Sequence, residues 1–149
     1  MLEHRISDWD DAYANGSNIA RGDRWPEAWV KPAEAFRNAL LSAGRAKLDL
    51  AYGDRPRNRM DLFLPDGSPK GLVVFVHGGG WQFGSIDASH GVCAFLSKTT
   101  GLKVLSLDYR LSPEAPFPAA QEDCHRALEW LIERGADPAT IALAGDSAG

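Results

Sequence analysis

The sequence predicts an α/β fold built on a mostly parallel sheet flanked by helices. Short continuous apolar runs fall at Leu72 to Val76, Lys103 to Asp108 and Thr140 to Ala144. Two stretches of helical length, about 87–99 and 118–134, separate them. Strands apolar at successive positions are covered on both faces, and strand–helix–strand–helix–strand order makes their pairing parallel.

Taken in chain order, residues 1 to about 30 are polar and aromatic-rich. They carry Trp9, Tyr13, Trp25 and Trp29 without a clean period. From Pro32 to Ala43 the apolar residues Phe36, Ala39, Leu40 and Ala43 recur at helical spacing, and Gly44 is a stop signal. One or two short helices follow from this, with more aromatic surface than such a pair can bury alone. Lys47 to Tyr52 and Arg59 to Leu64 alternate apolar and polar, predicting a half-exposed strand pair. Gly53-Asp54-Arg55-Pro56 between them is a turn cluster. The later helix puts Ala120, Cys124, Ala127, Leu128, Leu131 and Ile132 on one side, with Pro118 near its start and Gly135 past its end.

Composition narrows the function classes. Of 149 residues, 44% are hydrophobic and 24% charged, and the net charge is −4. That balance argues against a nucleic-acid or anionic-membrane partner, and no apolar run is long enough to span a bilayer. The first ten residues lack the basic and apolar regions of a signal peptide, so the expected compartment is the cytoplasm. Cys93 and Cys124 read as small buried hydrophobes, and no Cys/His spacing suits zinc. With no GxxxxGK[ST] or GxGxxG pattern either, neither a metal nor an organic cofactor is expected.

Two motifs carry chemistry. Gly145-Asp146-Ser147-Ala148-Gly149 matches Gly-x-Ser-x-Gly, a pattern that chance supplies in about one chain in twenty of this length. Its position directly after a buried-type strand is what makes it specific, because a nucleophile elbow belongs there. Glycines two residues either side of the serine leave room for the sharp turn. The second motif, His77-Gly78-Gly79-Gly80-Trp81, follows the strand ending at Val76. Three glycines let backbone N–H groups face a ligand, as an oxyanion hole requires. His77 precedes that loop and is expected to pin it by hydrogen bonds.

The HGGGW loop, the run Asp108 to Ala120 (DYRLSPEAPFPAA) and the closing GDSAG resemble the hormone-sensitive-lipase family of α/β-hydrolase carboxylesterases. The resemblance covers about residues 45–149. It implies an α/β-hydrolase fold, with residues 1–44 as an N-terminal cap-like helical segment and 45–149 as the N-terminal part of the catalytic domain. It also implies Ser147 as nucleophile, the backbone N–H groups of Gly79, Gly80 and Ala148 as oxyanion donors, and His77, Gly78 and Trp81 as support for the loop. Asp146 matches the family's residue before the serine. The implied reaction is hydrolysis of small carboxylic esters with short acyl chains. Kynurenine formamidase-like arylformamidases are the alternative: they share an HGGxW loop, and Asp10 to Asn15 is loosely like their N-terminal segments.

In this fold the triad runs Ser, then Asp or Glu, then His. Both partners are therefore expected after Gly149, and the chain is expected to be truncated after the elbow strand. His90 and His125 fall within helices, Asp108 reads as loop scaffolding and Glu114 as a turn residue. The 149 residues alone are accordingly expected to be inactive, poorly folded and open at an apolar strand edge.

Overall fold

The computed structural model describes residues 20–21 and 24–149. Trp9, Tyr13 and the Asp10 to Asn15 segment lie outside them. The chain divides into two compact units, Met1–Ala35 and Phe36–Gly149.

Helix α1 spans Trp25–Ser42 and contains Pro32 in its interior. The sequence pattern starts the helix at Pro32, seven residues late. Ala28, Lys31, Pro32, Glu34 and Ala35 are all exposed, and Pro32, a helix-start signal in sequence, lies inside the helix. The predicted stop is in place. Gly44 sits at φ 66°, its N–H bonds to Leu41 O and the next N–H, of Arg45, reaches Leu40 O. Together they close a Schellman cap.

The sheet consists of β1 (Ala46–Ala51), β2 (Arg59–Phe63), β3 (Leu72–Val76), β4 (Lys103–Leu107) and β5 (Ile141–Gly145) in the order β1-β2-β4-β3-β5. β3 pairs in parallel with both β4 and β5. β2 runs antiparallel to β4 and to β1. The parallel heart is the one the apolar runs predict, and β5 pairs with β3 alone among the described strands.

Helices α2 (Ile86–Thr100) and α3 (Ala119–Glu133) lie within one or two residues of their predicted bounds. One face of the sheet packs Phe63, Val73, Phe75 and Val104 against Cys93 and Ala94 of α2 and Leu40 of α1. The other packs Met60, Val74, Leu105 and Leu107 against Ala127 and Leu131 of α3. Neighbours along β3 thus feed opposite cores, as a period of two dictates. Each large side chain so buried contributes about 1.5–3 kcal/mol.

The expected half-exposed pair needs correcting. β1 is the edge, but β2 lies inside the sheet, and its polar residue Asp61 is 2% exposed. A carboxylate is tolerated there because α2 presents His90 to it. A register shift in β1 between Lys47 and Leu50 also turns the Asp49 N–H onto Asp61 Oδ1 at 2.7 Å.

Candidate active site

Parallel register sets the site. Val76 at the end of β3 pairs with Gly145 at the end of β5, so the loops leaving both strands start side by side at the carboxyl edge, where ligands bind in open α/β sheets. The Asp146 N–H reaches back to Val76 O at 3.3 Å.

Ser147 sits in the left-handed region at φ 55°, a conformation that costs a non-glycine residue about 1–3 kcal/mol. Residues 146–149 form a turn closed by the Gly149 N–H on Asp146 O at 2.9 Å. The flanking glycines are sterically required. A Cβ on Gly145 would collide with the Gly149 backbone, and one on Gly149 would collide with Val76 O. The motif's glycines therefore serve the packing of the elbow against β3.

The glycine loop lies directly against this turn. A Cβ on Gly78 would stand 2.7 Å from Asp146 O and 3.2 Å from Ser147 Cβ. Gly79, Gly80 and Trp81 all have positive φ, at 117°, 60° and 61°, so the loop curls. The N–H groups of Gln82 and Phe83 both close onto Gly79 O. Ala148 occupies the turn beside Ser147, and the sequence-selected Ser147, Ala148, Gly78 and Gly79 belong to two touching loops. Trp81 points elsewhere: its carbonyl accepts from Ser112 N–H at 2.7 Å. Its half-exposed ring lines a separate pocket of about 220 Å³ with Phe117 and Ala115. A larger cleft of about 530 Å³ opens between the loops and α2, lined by Gly79, Phe83, Ala88, Val92, Gly145 and Asp146.

His77 is buried under the loop. Its Nδ1 donates to Gly78 O at 2.8 Å, its ring stacks on Tyr109 with centroids 4.3 Å apart, and Tyr109 OH donates to His77 O at 2.6 Å. Burial, reinforced by nearby Cys124 and Asp108 and opposed by Arg57, pushes the Tyr109 phenol up to about 12, so it stays a neutral donor. His77 Nε2 is buried without a hydrogen-bond partner, and Asp108 Oδ1 stands 3.5 Å away.

The remaining candidates separate cleanly. His90 is held by Asp61 in the core. His125 is 72% exposed beside Glu129, and Glu114 is exposed in a turn. Among the described residues no histidine bonds to Ser147. Asp108 is the acceptor of Arg57 Nη2 at 2.6 Å, in keeping with a scaffolding role. Arg57 itself belongs to no motif; only a position in the turn before β2 marks it in the sequence. Arg110, in the middle of the DYRLSPE run, donates to Asp123 at 2.8 Å and to Glu122 at 3.0 Å. That pairing helps to explain the run: it ties the exit of β4 to the first turns of α3.

Comparison with known proteins adds independent findings. The family described as alpha/beta hydrolase fold matches residues 73–149. The carboxylic ester hydrolase LipN of Mycobacterium tuberculosis is 45% identical over 83 residues, which are 52% of this chain and 22% of LipN. A solved structure from Silicibacter sp. TM1040, provisionally assigned as a thioesterase, is 41% identical with a TM-score of 0.77, covering 94% of this chain and 52% of that one. An esterase from the bacterial hormone-sensitive lipase family is 36% identical with a TM-score of 0.62, covering 70% of this chain and 34% of that one. The chain thus spans about half the length of the first of these structures and 22% of LipN. No helix among the described residues is long and apolar enough to cross a membrane.

Proposed function

Because the chain belongs to the α/β-hydrolase fold family, we propose that it carries the nucleophile and oxyanion loop of a serine hydrolase acting on small carboxylic esters. The observation that carries this reading is the left-handed Ser147 at the end of β5, its turn packed against Gly78 of the glycine loop. Ser147 Oγ attacks the ester carbonyl, and its proton passes to a histidine base. By the chain order of this fold, that base and its acid partner follow Ser147 in the sequence. Negative charge developing on the carbonyl oxygen is held by the N–H groups of Gly79, Gly80 and Ala148. Collapse expels the alcohol, which takes the proton, and water then releases the acid from the acyl-serine.

His77, Gly78 and Trp81 support the loop rather than react. The cleft of about 530 Å³ beside Gly79 is of a size that suits a small ligand and would receive the short acyl chain. Ester cleavage is favoured over formamide cleavage because LipN and the hormone-sensitive-lipase-type structure are named as ester hydrolase and esterase. Residues 1–44 are read as a cap-like helical segment and 45–149 as part of the catalytic domain. On the same reading the enzyme works in the cytoplasm, in keeping with two unpaired cysteines.

The test is a fluorophosphonate probe on the protein expressed from its complete gene, followed by peptide mass analysis. The expected result is one adduct on Ser147, lost in Ser147→Ala together with hydrolysis of p-nitrophenyl acetate. Labelling that persists in Ser147→Ala overturns the assignment.

A further inference from the structure

We infer that Arg57 is a positioning residue for the oxyanion loop, an inference that rests on the serine-hydrolase reading above. Its guanidinium makes three contacts, each to a different residue. Nε donates to Tyr109 O at 2.7 Å, and Nη2 donates to Gly84 O at 3.1 Å and to Asp108 Oδ1 at 2.6 Å. One side chain from the turn before β2 thereby joins the closing end of the glycine loop to the exit of β4.

Each acceptor leads on to the glycine motif. Gly84 lies tight against its opening end, since a Cβ there would stand 2.5 Å from His77 Nδ1 and 2.6 Å from Gly78 O. Holding Gly84 O therefore holds both ends of the loop together. Tyr109, whose carbonyl Arg57 binds, stacks on His77 and donates to its carbonyl. The Asp108 carboxylate that Arg57 binds stands 3.5 Å from the orphaned His77 Nε2.

An exposed ion pair contributes little, but this arrangement differs from one. Two of the three acceptors are backbone carbonyls outside any strand ladder, and the Asp108 side chain is only 14% exposed. Three donations in fixed directions need the rigid planar fork of arginine. A lysine ammonium can replace the charge but not the geometry. What Arg57 sets is therefore the aim of the Gly79 and Gly80 N–H groups, a quantity felt in the transition state more than in substrate binding.

The experiment uses the protein expressed from its complete gene, with Arg57→Ala, Arg57→Lys and, as a control, Arg55→Ala, whose exposed side chain makes none of these contacts. Arg57→Ala should lower kcat about 30–100-fold with KM changed by less than about two-fold. Affinity for a boronic-acid transition-state analogue should fall in parallel with kcat/KM. Arg57→Lys should lie between wild type and Arg57→Ala, and added guanidinium at low concentration should partly restore Arg57→Ala. Arg55→Ala should match wild type. If thermal melting shows Arg57→Ala to be unfolded, Arg57→Lys carries the same split of kcat from KM. Wild-type kcat in a folded variant, or a loss confined to KM, overturns the inference alone. A wild type that neither hydrolyses esters nor takes a fluorophosphonate overturns the serine-hydrolase reading and this inference with it.

Discussion

Asp61 of β2 and His90 of α2 meet in the core, carboxylate Oδ2 on imidazole Nε2, each side chain 3% exposed. Their neighbours fix the protons. An Arg37 N–H donates to His90 Nδ1 at 3.1 Å, so Nδ1 accepts and Nε2 carries the hydrogen given to Asp61. The Asp49 N–H satisfies the other carboxylate oxygen. His90 is thereby a structural histidine. His90→Leu leaves a buried carboxylate without its partner, and the expected loss is about 3–5 kcal/mol of stability. Urea unfolding reads it as a lower midpoint at unchanged slope.

Gly149→Ala drives a Cβ into Val76 O, which can be relieved only by moving the elbow off β3. Displacement of a nucleophile by about 1 Å costs on the order of a hundredfold in rate. Fluorophosphonate labelling of Ser147 should slow by that factor while the melting temperature of the sheet changes little. Labelling at the wild-type rate would refute the packing argument.

Acid should weaken the Arg110–Asp123 link. Burial pushes the Asp123 carboxyl up, but the Arg110 guanidinium and backbone N–H, with Asn58, together bring it below its ordinary value. A carboxylate lowered in the folded state adds stability that is present above the unfolded value, about 3.9, and is lost as pH falls through the folded one. Stability measured against pH should therefore drop more steeply below about pH 4 in wild type than in Asp123→Asn.

Alkali acts on the thiols in the opposite sense. Burial pushes Cys93 up to about 12 and Cys124 up to about 11. A raised thiol favours the folded chain at neutral pH, and that contribution fades as pH rises through the ordinary thiol value toward the folded one. Near pH 8 iodoacetamide should leave both cysteines unmodified in the native protein and alkylate both in guanidinium chloride, as mass analysis will read directly.

Legibility in the sequence followed the range of the interactions. β3, β4, β5, α2 and α3 were readable because apolar runs and helical stripes are local records of burial, and Gly135 marked its helix end for a backbone reason. The start of α1 was not, since Pro32 reads as a helix start yet lies inside the helix. The interior place of β2 was hidden because Asp61 looks like a solvent-facing residue until His90 is known to cover it. At the site, Ser147 and the glycine loop announced themselves through the steric demands of their turns. Arg57 did not, because three hydrogen bonds to distant backbone and carboxylate atoms leave no spacing to recognise.

The pairing of Val76 with Gly145 has a kinetic meaning. It spans two strand–helix units, the longest sequence separation of any strand pair in the sheet. Pairings that close long stretches of chain meet the largest entropic resistance and form late. During refolding the hairpin of β1 and β2 and the docking of β3 on β4 can precede it, building most of the core while the serine still lies in an unformed turn. The turn that carries Ser147 would then form with β5, after the earlier strands have paired.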